Sequence, residues 1–485
     1  MRIFEHLYPE LLWFYFEEIC KIPRPSKKEG QIIKYLLEFA TKFGLGSKKD
    51  HIGNVLIKKP ATVGFENKPA IVLQSHLDMV CEKNEYTKFD FEQDPIQPYI
   101  ENNWVKAWGT TLGADDGIGI AAQLAILASK DIQHGKLECL FTVDEETGLA
   151  GAFGLEAGFF EGKTLLNLDS EDEGIVFIGC AGGMDSTATL KICTNKIEKN
   201  QEVIRIEVSG LNGGHSGDDI NKGFGNSVKI ISRIVGNLSK YSNLSLINIE
   251  GGNLRNAIPR EAFCEIAAYP NAIKKIEEKF ELISNEIKSE YQKTEKNLKL
   301  LFIKKLQVPF TKMLDKKSNS DVINILNSLP HGVEGMSHEI DGLVETSTNL
   351  ASVKRIDENT FEIGTSQRSS SDSLKLDIAN KVASVFKLGG ASIRQSTGYP
   401  GWKPNPASSI LKVAINSYEE LIHTKPFITA IHAGLECGLF LEKFPGLDMI
   451  SFGPTIRGAH SPDEKLEIES VEKFWKFLTN ILIKI

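Results

Sequence analysis

Histidines and acids in this sequence stand directly after short apolar runs, where their side chains could bind metal ions. His76 and Asp78 follow the apolar run at residues 70–73. In a His-x-Asp pair the histidine can ligate a metal while the aspartate accepts the other ring N–H and fixes the tautomer. A polar turn also explains such a pair when it stands alone. The pair therefore indicates a metal site only together with further candidate ligands.

Two acidic segments add such candidates. Asp115 and Asp116 lie at the start of a predicted helix, between glycines. Helix capping accounts for one aspartate there and less easily for two, because flanking glycines also let the backbone come close to a ligand. Glu145 and Glu146 follow Asp144 directly after a predicted strand at residues 137–143. Adjacent acids repel one another unless solvent or a cation neutralises them, so an ordinary acidic loop and a cation site both remain open.

Two later residues complete the set. Asp169 follows a predicted strand at residues 164–168, and His460 follows another at residues 448–452. In open α/β sheets ligands gather at the carboxyl ends of the strands, so residues distant in sequence can converge there. The candidate metal-binding residues are His76, Asp115, Glu146, Asp169 and His460, with Glu145 beside them.

The charges of this set indicate what it could hold. Three carboxylates and a hydroxide carry four negative charges, which balance two divalent cations, while two neutral imidazoles complete the coordination. Mixed imidazole and carboxylate ligation suits zinc, or manganese and cobalt, better than magnesium or calcium. Two such ions about 3.5–4 Å apart would lower the pKa of a shared water and polarise a carbonyl. Glu145 is not needed as a ligand and is the candidate general base.

The order of predicted strands and helices indicates the fold that positions these residues. Strands and helices alternate through the first 180 residues or so, which predicts an α/β fold with helices packed on a sheet. From about residue 186 an alternating strand at 203–208 and apolar residues at helical spacing in 271–300 indicate a smaller α+β region. We predict a catalytic domain in residues 1–185 and 396–485, interrupted by an inserted domain at 186–395.

Composition excludes several classes of protein. The chain has 56 Lys and Arg against 64 Asp and Glu, a net charge of −8, and lacks a dense basic stretch, which argues against nucleic acid as a partner. Seven cysteines without a CxxC pair favour reduced thiols and a cytoplasmic location. Apolar stretches fall short of the roughly 20 residues of a membrane span, and the acidic N-terminal segment does not look like a signal peptide.

The ordered motifs resemble those of a known enzyme family. HLD at residues 76–78, GADD at 113–116, DEETG at 144–148, NLD at 167–169 and His460 are similar, in order and spacing, to dinuclear zinc exopeptidases and deacylases related to carboxypeptidase G and acetylornithine deacetylase. Further segments resemble the aminoacyl-histidine (Xaa-His, carnosinase-like) dipeptidase branch of that family. These are TTLGAD at 110–115, GGHSG at 213–217, LRNAIPRE at 254–261, SQRSS at 366–370, YPGW at 399–402, IHAGLECG at 431–438 and GPTIRGAH at 453–460.

The resemblance implies a fold and a site. The fold would be a mixed twisted sheet with helices on both faces, interrupted by a lid domain that also serves dimerisation. Asp115 would bridge two divalent metal ions per subunit, His76 and Asp169 would complete one metal site, and Glu146 and His460 the other. Glu145 would be the catalytic base or acid, with Asp78 as the second catalytic residue, behind His76. Asp116 could exchange roles with Asp115, although position in the Gly-Ala-Asp motif favours Asp115.

The inserted domain would supply substrate contacts. His215, in a glycine-flanked loop, could donate to a developing oxyanion in its own or a partner subunit's site, or could be a polar turn residue. Arg368 suits a free C-terminal carboxylate, which a guanidinium binds bidentately. Asn256, Glu436 and His432 could line the same pocket, and for Glu436 and His432 a structural role is equally open.

We therefore expect a cytoplasmic, homodimeric metallo-dipeptidase acting on small dipeptides, Xaa-His types among them. A hydroxide bridging the metals would attack the scissile carbonyl, with Glu145 as general base. The alternative is a deacylase of N-acyl amino acids, which needs the same metal chemistry. A protein that only binds is less consistent with the sequence, because it needs no general base.

Overall fold

The computed structural model describes residues 2–242, 244–304, 306 and 308–485. The chain divides into two compact units. The first unit comprises Met1–Gly179, Trp402–Ala430 and Leu435–Ile485, and the second comprises Cys180–Gly401 and Ile431–Gly434. Helices and strands are numbered along the whole chain.

The first unit is built on a mixed sheet. Its helices are α1 (Glu10–Cys20), α2 (Gly30–Lys42), α3 (Ala114–Ala128), α4 (Ala150–Gly154), α9 (Ser409–Ile422), α10 (Glu436–Lys443) and α11 (Ile468–Lys484). Its strands are β1 (Gly46–Lys49), β2 (Val55–Lys59), β3 (Ile71–His76), β4 (Pro98–Glu101), β5 (Trp104–Ala107), β6 (Leu137–Thr142), β7 (Thr164–Asn167), β8 (Ile175–Cys180), β20 (Phe427–Ile431), β21 (Asp448–Ser451), β22 (Ile456–Arg457) and β23 (Lys465–Glu467).

The order of strands in this sheet determines where side chains can meet. Among the described residues the large sheet has eight strands in the order β1-β2-β6-β3-β7-β21-β8-β20. β3 pairs in parallel with β6 and β7, and β21 pairs in parallel with β7. All six residues of β3 are buried, as expected of a strand flanked on both sides and covered by α3. β4, β5, β22 and β23 form a separate small sheet.

The second unit is an α+β arrangement. Its helices are α5 (Ser227–Tyr241), α6 (Pro270–Glu290), α7 (Lys316–Ser328) and α8 (Asp372–Leu388). Its strands are β9 (Gly182–Lys191), β10 (Thr194–Lys196), β11 (Glu202–Ser209), β12 (Ser245–Gly251), β13 (Ala262–Ala268), β14 (Lys299–Lys304), β15 (Lys312–Leu314), β16 (Gly332–Met336), β17 (Val344–Asp357), β18 (Thr360–Ser369) and β19 (Ser392–Gln395). The main sheet of its described residues runs β14-β11-β13-β12-β17-β18-β9-β19, with β16 on β17.

The apolar residues that alternate in 203–208, and most of those at helical spacing in 271–300, are buried in the core of the second unit. β11 buries Ile204, Ile206 and Val208 on one side. α6 buries apolar residues at helical spacing, but it ends at Glu290, so the helical expectation for residues 271–300 was too long. Residues 299 and 300 instead begin β14, which pairs antiparallel with β11. The mixed α/β fold class is confirmed. Within the described part of the chain, every helix is too short or too polar to cross a lipid bilayer.

Candidate metal centre

Three neighbouring parallel strands carry candidate ligands at their carboxyl ends. His76 is the last residue of β3, Glu145 and Glu146 lie in the loop after β6, and Asp169 lies two residues after β7. Because β3 pairs in parallel with both β6 and β7, these three ends lie side by side at one edge of the sheet. The convergence that the sequence predicted for these four residues is therefore present in the structure.

Asp115 lies between two histidines. Its Oδ1 is 3.0 Å from Nε2 of His76, and its Oδ2 is 3.1 Å from Nε2 of His460. The neighbouring Asp116 is directed into its own helix, where its Oδ1 accepts the N–H of Gly119 at 3.1 Å. A Cβ at Gly119 would lie 2.3 Å from that oxygen, so a larger residue there would displace the Asp116 carboxylate. Asp115, not Asp116, thus lies between the two imidazoles.

Two groups of potential ligands share this aspartate. His76, Asp115 and Asp169 form one group, and Asp115, Glu146 and His460 form the other; within each, one ligand atom per residue lies within 4.8 Å of the others. Nε2 of His76 is 3.4 Å from an oxygen of Asp169, and Nε2 of His460 is 3.2 Å from an oxygen of Glu146. The five residues therefore form two adjoining clusters, each with an imidazole, its own carboxylate and the shared carboxylate.

The chemistry of these donors fits two divalent cations. Imidazole nitrogens point at carboxylate oxygens throughout, and the buried Oε1 of Glu146 has no hydrogen-bond partner among the described residues. A buried acceptor without a donor is costly unless a cation or water satisfies it. One imidazole nitrogen and two carboxylates in each cluster suit zinc, manganese or cobalt.

Burial and mutual repulsion shift the pKa values of the acids in this cluster. Burial raises the pKa of Asp169 to about 7, with the Asp115 carboxylate contributing. Burial also raises the pKa of Glu145 well above its ordinary value, reinforced by Asp169 and Glu146. Hydrogen bonds to Asp115 and Glu146 raise the pKa of His460 to about 11. Crowded carboxylates of this kind are neutralised by protons or by bound cations.

Asp78 orients the groups around it. One oxygen is 3.4 Å from Nδ1 of His76 and accepts the N–H of Glu145 at 3.0 Å. The other accepts the N–H of Glu146 at 3.2 Å and the hydroxyl of Ser26 at 2.7 Å. Burial alone would raise the pKa of Asp78, but the His76 ring and these donors lower it to about 2. An ionised Asp78 therefore lies beside the His76 ring and fixes the loop that carries both glutamates.

Two buried charges support the cluster and were missed from the sequence. The Arg24 guanidinium donates to the carbonyl oxygens of Leu77 at 3.0 Å, Asp78 at 2.7 Å and Gly113. The Glu464 carboxylate accepts backbone N–H groups of residues 112–115. Arg24 belongs to none of the motifs, and Glu464 lies four residues beyond the last of them, so neither carried a recognisable signal.

Glu436 lies in the first unit, fully buried in the first turn of α10. Its Oε2 accepts hydrogen bonds from Gln74 at 2.6 Å and Thr142 at 2.8 Å. Burial raises its pKa to about 8. These bonds tie Glu436 to β3 and β6, and its Oε1 has no partner among the described residues, so a structural and a substrate-binding role both stay open.

The second unit contains a separate polar cavity. Arg368 and Asn256 line a cavity of about 190 Å³ together with Tyr399. The Tyr399 hydroxyl accepts a hydrogen bond from Nη1 of Arg368 at 3.0 Å. A Cβ at Gly183 would lie 2.6 Å from the Tyr399 ring, so glycine is needed for the ring to fit. Tyr399 belongs to the YPGW segment at residues 399–402, for which the sequence predicted no role of the tyrosine.

His215 does not line that cavity. It lies on a larger groove that Asn256 also borders, and its Nδ1 is 3.1 Å from a carboxylate oxygen of Asp218. Its backbone N–H donates to Asp219 at 2.7 Å, which holds the loop in place. Asn256 thus lines both the groove of His215 and the cavity of Arg368.

A mixed α/β sheet with imidazoles and carboxylates at the ends of its parallel strands is typical of metal-dependent hydrolases. The sequence profile of the peptidase family M20/M25/M40 matches residues 72–484, and the chain belongs to this family. It is 43% identical over its full length to the cytosol non-specific dipeptidase of Escherichia coli strain K12, of which it covers 99%.

Solved structures agree with this assignment. The aminoacylhistidine dipeptidase of Vibrio alginolyticus superimposes with a TM-score of 0.90 at 46% identity, covering 99% of this chain and 98% of that one. Aminopeptidase PepT of Bacillus cereus shares the fold, with a TM-score of 0.57 at 17% identity and 99% coverage of both chains. The family resemblance expected from the motifs is confirmed, and the protein is a peptide hydrolase.

Proposed function

We propose that this protein hydrolyses dipeptides, Xaa-His substrates of the carnosine type among them. The observation that carries the proposal is the Asp115 carboxylate, one oxygen at each of two imidazoles, with a further carboxylate beside each imidazole. The relatives of highest similarity described above are a non-specific dipeptidase and an aminoacylhistidine dipeptidase, which supports this substrate class.

The metal centre would hold two divalent cations per subunit, zinc in preference to manganese or cobalt. His76 and Asp169 would ligate one ion, Glu146 and His460 the other, and Asp115 both. When bound, the two cations would lower the pKa of water and polarise the scissile carbonyl.

Glu145 would act as the general base and then as the acid. Its side chain lies within reach of the metal cluster, beside His76 and Glu146, while its backbone N–H is fixed on Asp78. Burial and neighbouring acids raise its pKa, which suits a group that accepts a proton from water and passes it to the leaving amine. Asp78 would keep His76 in the tautomer whose Nε2 is free to ligate.

The second unit would recognise the substrate. Arg368, with 8% of its side chain surface exposed and its Nε without a partner among the described residues, would bind the C-terminal carboxylate. Asn256 would border the same ligand, and His215 would donate to the oxyanion in its own or a partner subunit's site. Glu436 would be a further substrate-binding residue.

We propose the cytoplasmic location and the homodimer only from the similarity of this chain to its relatives. A cytoplasmic location is supported by the name of the Escherichia coli relative, and a homodimer by the family resemblance. Size-exclusion chromatography with light scattering tests the dimer: a single-chain mass at micromolar concentration would contradict it.

A substrate panel tests the proposed activity. Metal-stripped protein is titrated with zinc or manganese and assayed on β-Ala-His, Gly-His, Leu-Leu, a tripeptide and an N-acetyl amino acid. We expect activity that rises to a plateau near two metal equivalents and is confined to the dipeptides. Hydrolysis of the N-acetyl compound alone would instead identify the deacylase, and inactivity on the whole panel with metal bound would contradict both.

A further inference from the structure

Glu464 makes an unusual set of contacts for an acidic side chain. It is 2% exposed, and its two oxygens accept four consecutive backbone N–H groups. The partners and distances are Leu112 at 2.7 Å and Gly113 at 2.9 Å to Oε2, and Ala114 at 2.7 Å and Asp115 at 3.3 Å to Oε1. Each of its oxygens therefore accepts from two backbone donors of the same segment.

These four N–H groups belong to the loop that carries the bridging aspartate. Gly113 has a positive φ of 67°, and Asp115 has non-helical φ and ψ of −80° and 113°. The loop therefore cannot satisfy its own donors by helical hydrogen bonds, and buried N–H groups need another acceptor. Glu464 provides it. The Arg24 guanidinium donates to the carbonyl oxygen of Gly113 in the same loop. Glu464 thus binds the N–H groups of the loop, and Arg24 binds one of its carbonyl oxygens.

Glu464 is also connected to the second histidine of the cluster. It follows His460 by four residues, and its N–H donates to the carbonyl oxygen of Ser461 at 3.1 Å, which closes a turn between them. His460 places Nε2 at 3.1 Å from Asp115. One short segment thus presents a histidine to the Asp115 carboxylate and, through Glu464, fixes the backbone of the same aspartate.

We infer that Glu464 is a positioning residue, which sets the distance between Asp115 and His460 and thereby the metal affinity of the cluster. The inference rests on the proposed function, in which both residues are ligands. A glutamine has the same shape but replaces one oxygen by an NH2 group. Two backbone N–H groups would then face a donor, and the half of the loop that they hold would move.

The test compares Glu464→Gln with Glu138→Gln. Glu138 is fully buried on β6 and also accepts two backbone N–H groups, those of Glu161 at 2.7 Å and Gly162 at 2.8 Å, but it contacts no metal-ligand loop. Each variant and the wild type are titrated with zinc against a chelator, and the visible absorption of the cobalt-substituted proteins is recorded. Thermal unfolding of the metal-free proteins measures the structural cost separately.

Glu464→Gln is expected to weaken metal binding by roughly 10–100-fold, the usual effect of removing a residue that orients a ligand, and to shift the cobalt bands. Saturating zinc should restore part of its turnover. Glu138→Gln should lower the unfolding temperature and leave affinity and spectrum unchanged. Wild-type affinity and cobalt spectrum in folded Glu464→Gln would overturn the inference.

Two further comparisons keep the result unambiguous. If Glu464→Gln does not fold, Glu464→Asp retains the charge but falls short of the loop by one methylene, and its metal affinity should still decrease. Undiminished affinity in that variant would overturn the inference. A wild-type protein that binds fewer than two equivalents would contradict the proposed metal centre itself, whereas two equivalents in wild type and in Glu464→Gln with equal affinity would reject only the role of Glu464.

Discussion

Replacing Tyr399 by phenylalanine removes one hydroxyl and leaves the surrounding packing intact. The ring lies against the backbone of Gly183 and Gly434, where a Cβ would approach it within 2.6 and 2.8 Å, so phenylalanine retains the same contacts. The hydroxyl itself accepts a hydrogen bond from Nη1 of Arg368 at 3.0 Å in the small cavity that both residues line. The substitution therefore changes the anchoring of the guanidinium and little else.

The size of the effect follows from that single bond. A hydrogen bond to a charged group contributes about 1.5–3 kcal/mol when its partner is buried. Nη1 can regain part of this from a bound carboxylate, so the lower end applies, and 1.4 kcal/mol corresponds to tenfold. We expect KM for a dipeptide to rise roughly tenfold in Tyr399→Phe, with kcat unchanged, because Arg368 would contact the carboxylate and not the scissile bond.

The assay measures KM and kcat for Leu-Leu together with the inhibition constant of Leu-Leu amide, which lacks the carboxylate charge. The amide should bind the variant and the wild type equally. Tyr418→Phe is the matched control, because its buried hydroxyl donates to Glu173 at 2.8 Å in the first unit, and KM should stay at the wild-type value. Equal changes for dipeptide and amide, or a fall in kcat alone, would refute the assignment of Arg368 and Tyr399 to carboxylate binding.

Three further predictions concern the first unit. Glu145→Gln should retain two metal equivalents and the fold yet lose turnover by at least 10²–10⁴-fold, the contribution of a positioned proton carrier; near-normal kcat with metal bound would contradict its role. Asp115→Ala should lose bound metal, as measured by metal analysis after dialysis, and two retained equivalents would contradict the bridge. Burial raises the pKa of Glu436 from 4.5 to about 8. As pH rises, the unfolded state therefore loses this proton at a lower pH than the folded state does. The free energy of unfolding of the metal-free protein should therefore fall between about pH 5 and pH 8, and denaturant titrations of Glu436→Gln should lack this part of the decrease.

The convergence of the candidate ligands could be predicted because each follows a strand of simple pattern. His76, Glu146 and Asp169 stand directly after short apolar segments, and such segments become adjacent parallel strands whose carboxyl ends meet. The fold class was predictable for the same reason, whereas the family was predicted from the resemblance of its ordered motifs. That these residues ligate metal stays a prediction, which the metal titrations test.

The choice between Asp115 and Asp116 needed the structure. Both side chains are carboxylates at the start of α3, and only the backbone conformation directs one toward His76 and the other toward Gly119. Sequence order in the motif favoured Asp115 but gave no physical reason.

The supporting residues could not be predicted at all. Arg24 and Glu464 act on backbone carbonyl and N–H groups far away in sequence, and every residue type has such groups. Tyr399 depends on two glycines, Gly183 and Gly434, that a single sequence cannot pair with it. The helix expected at residues 271–300 was too long because its last residues also suit an edge strand, and pairing with β11 decided between the two.

The position of β21 affects how the molecule can be made. This strand is formed by residues 448–451, yet in the sheet it lies between β7 and β8, which the ribosome synthesises some 270 residues earlier. The middle of the sheet therefore has a gap throughout most of translation, and His460 emerges later still. A nascent chain carries the acids of the cluster without its last imidazole and without Glu464. The proposed metal centre can therefore be completed only after residue 460 has been synthesised.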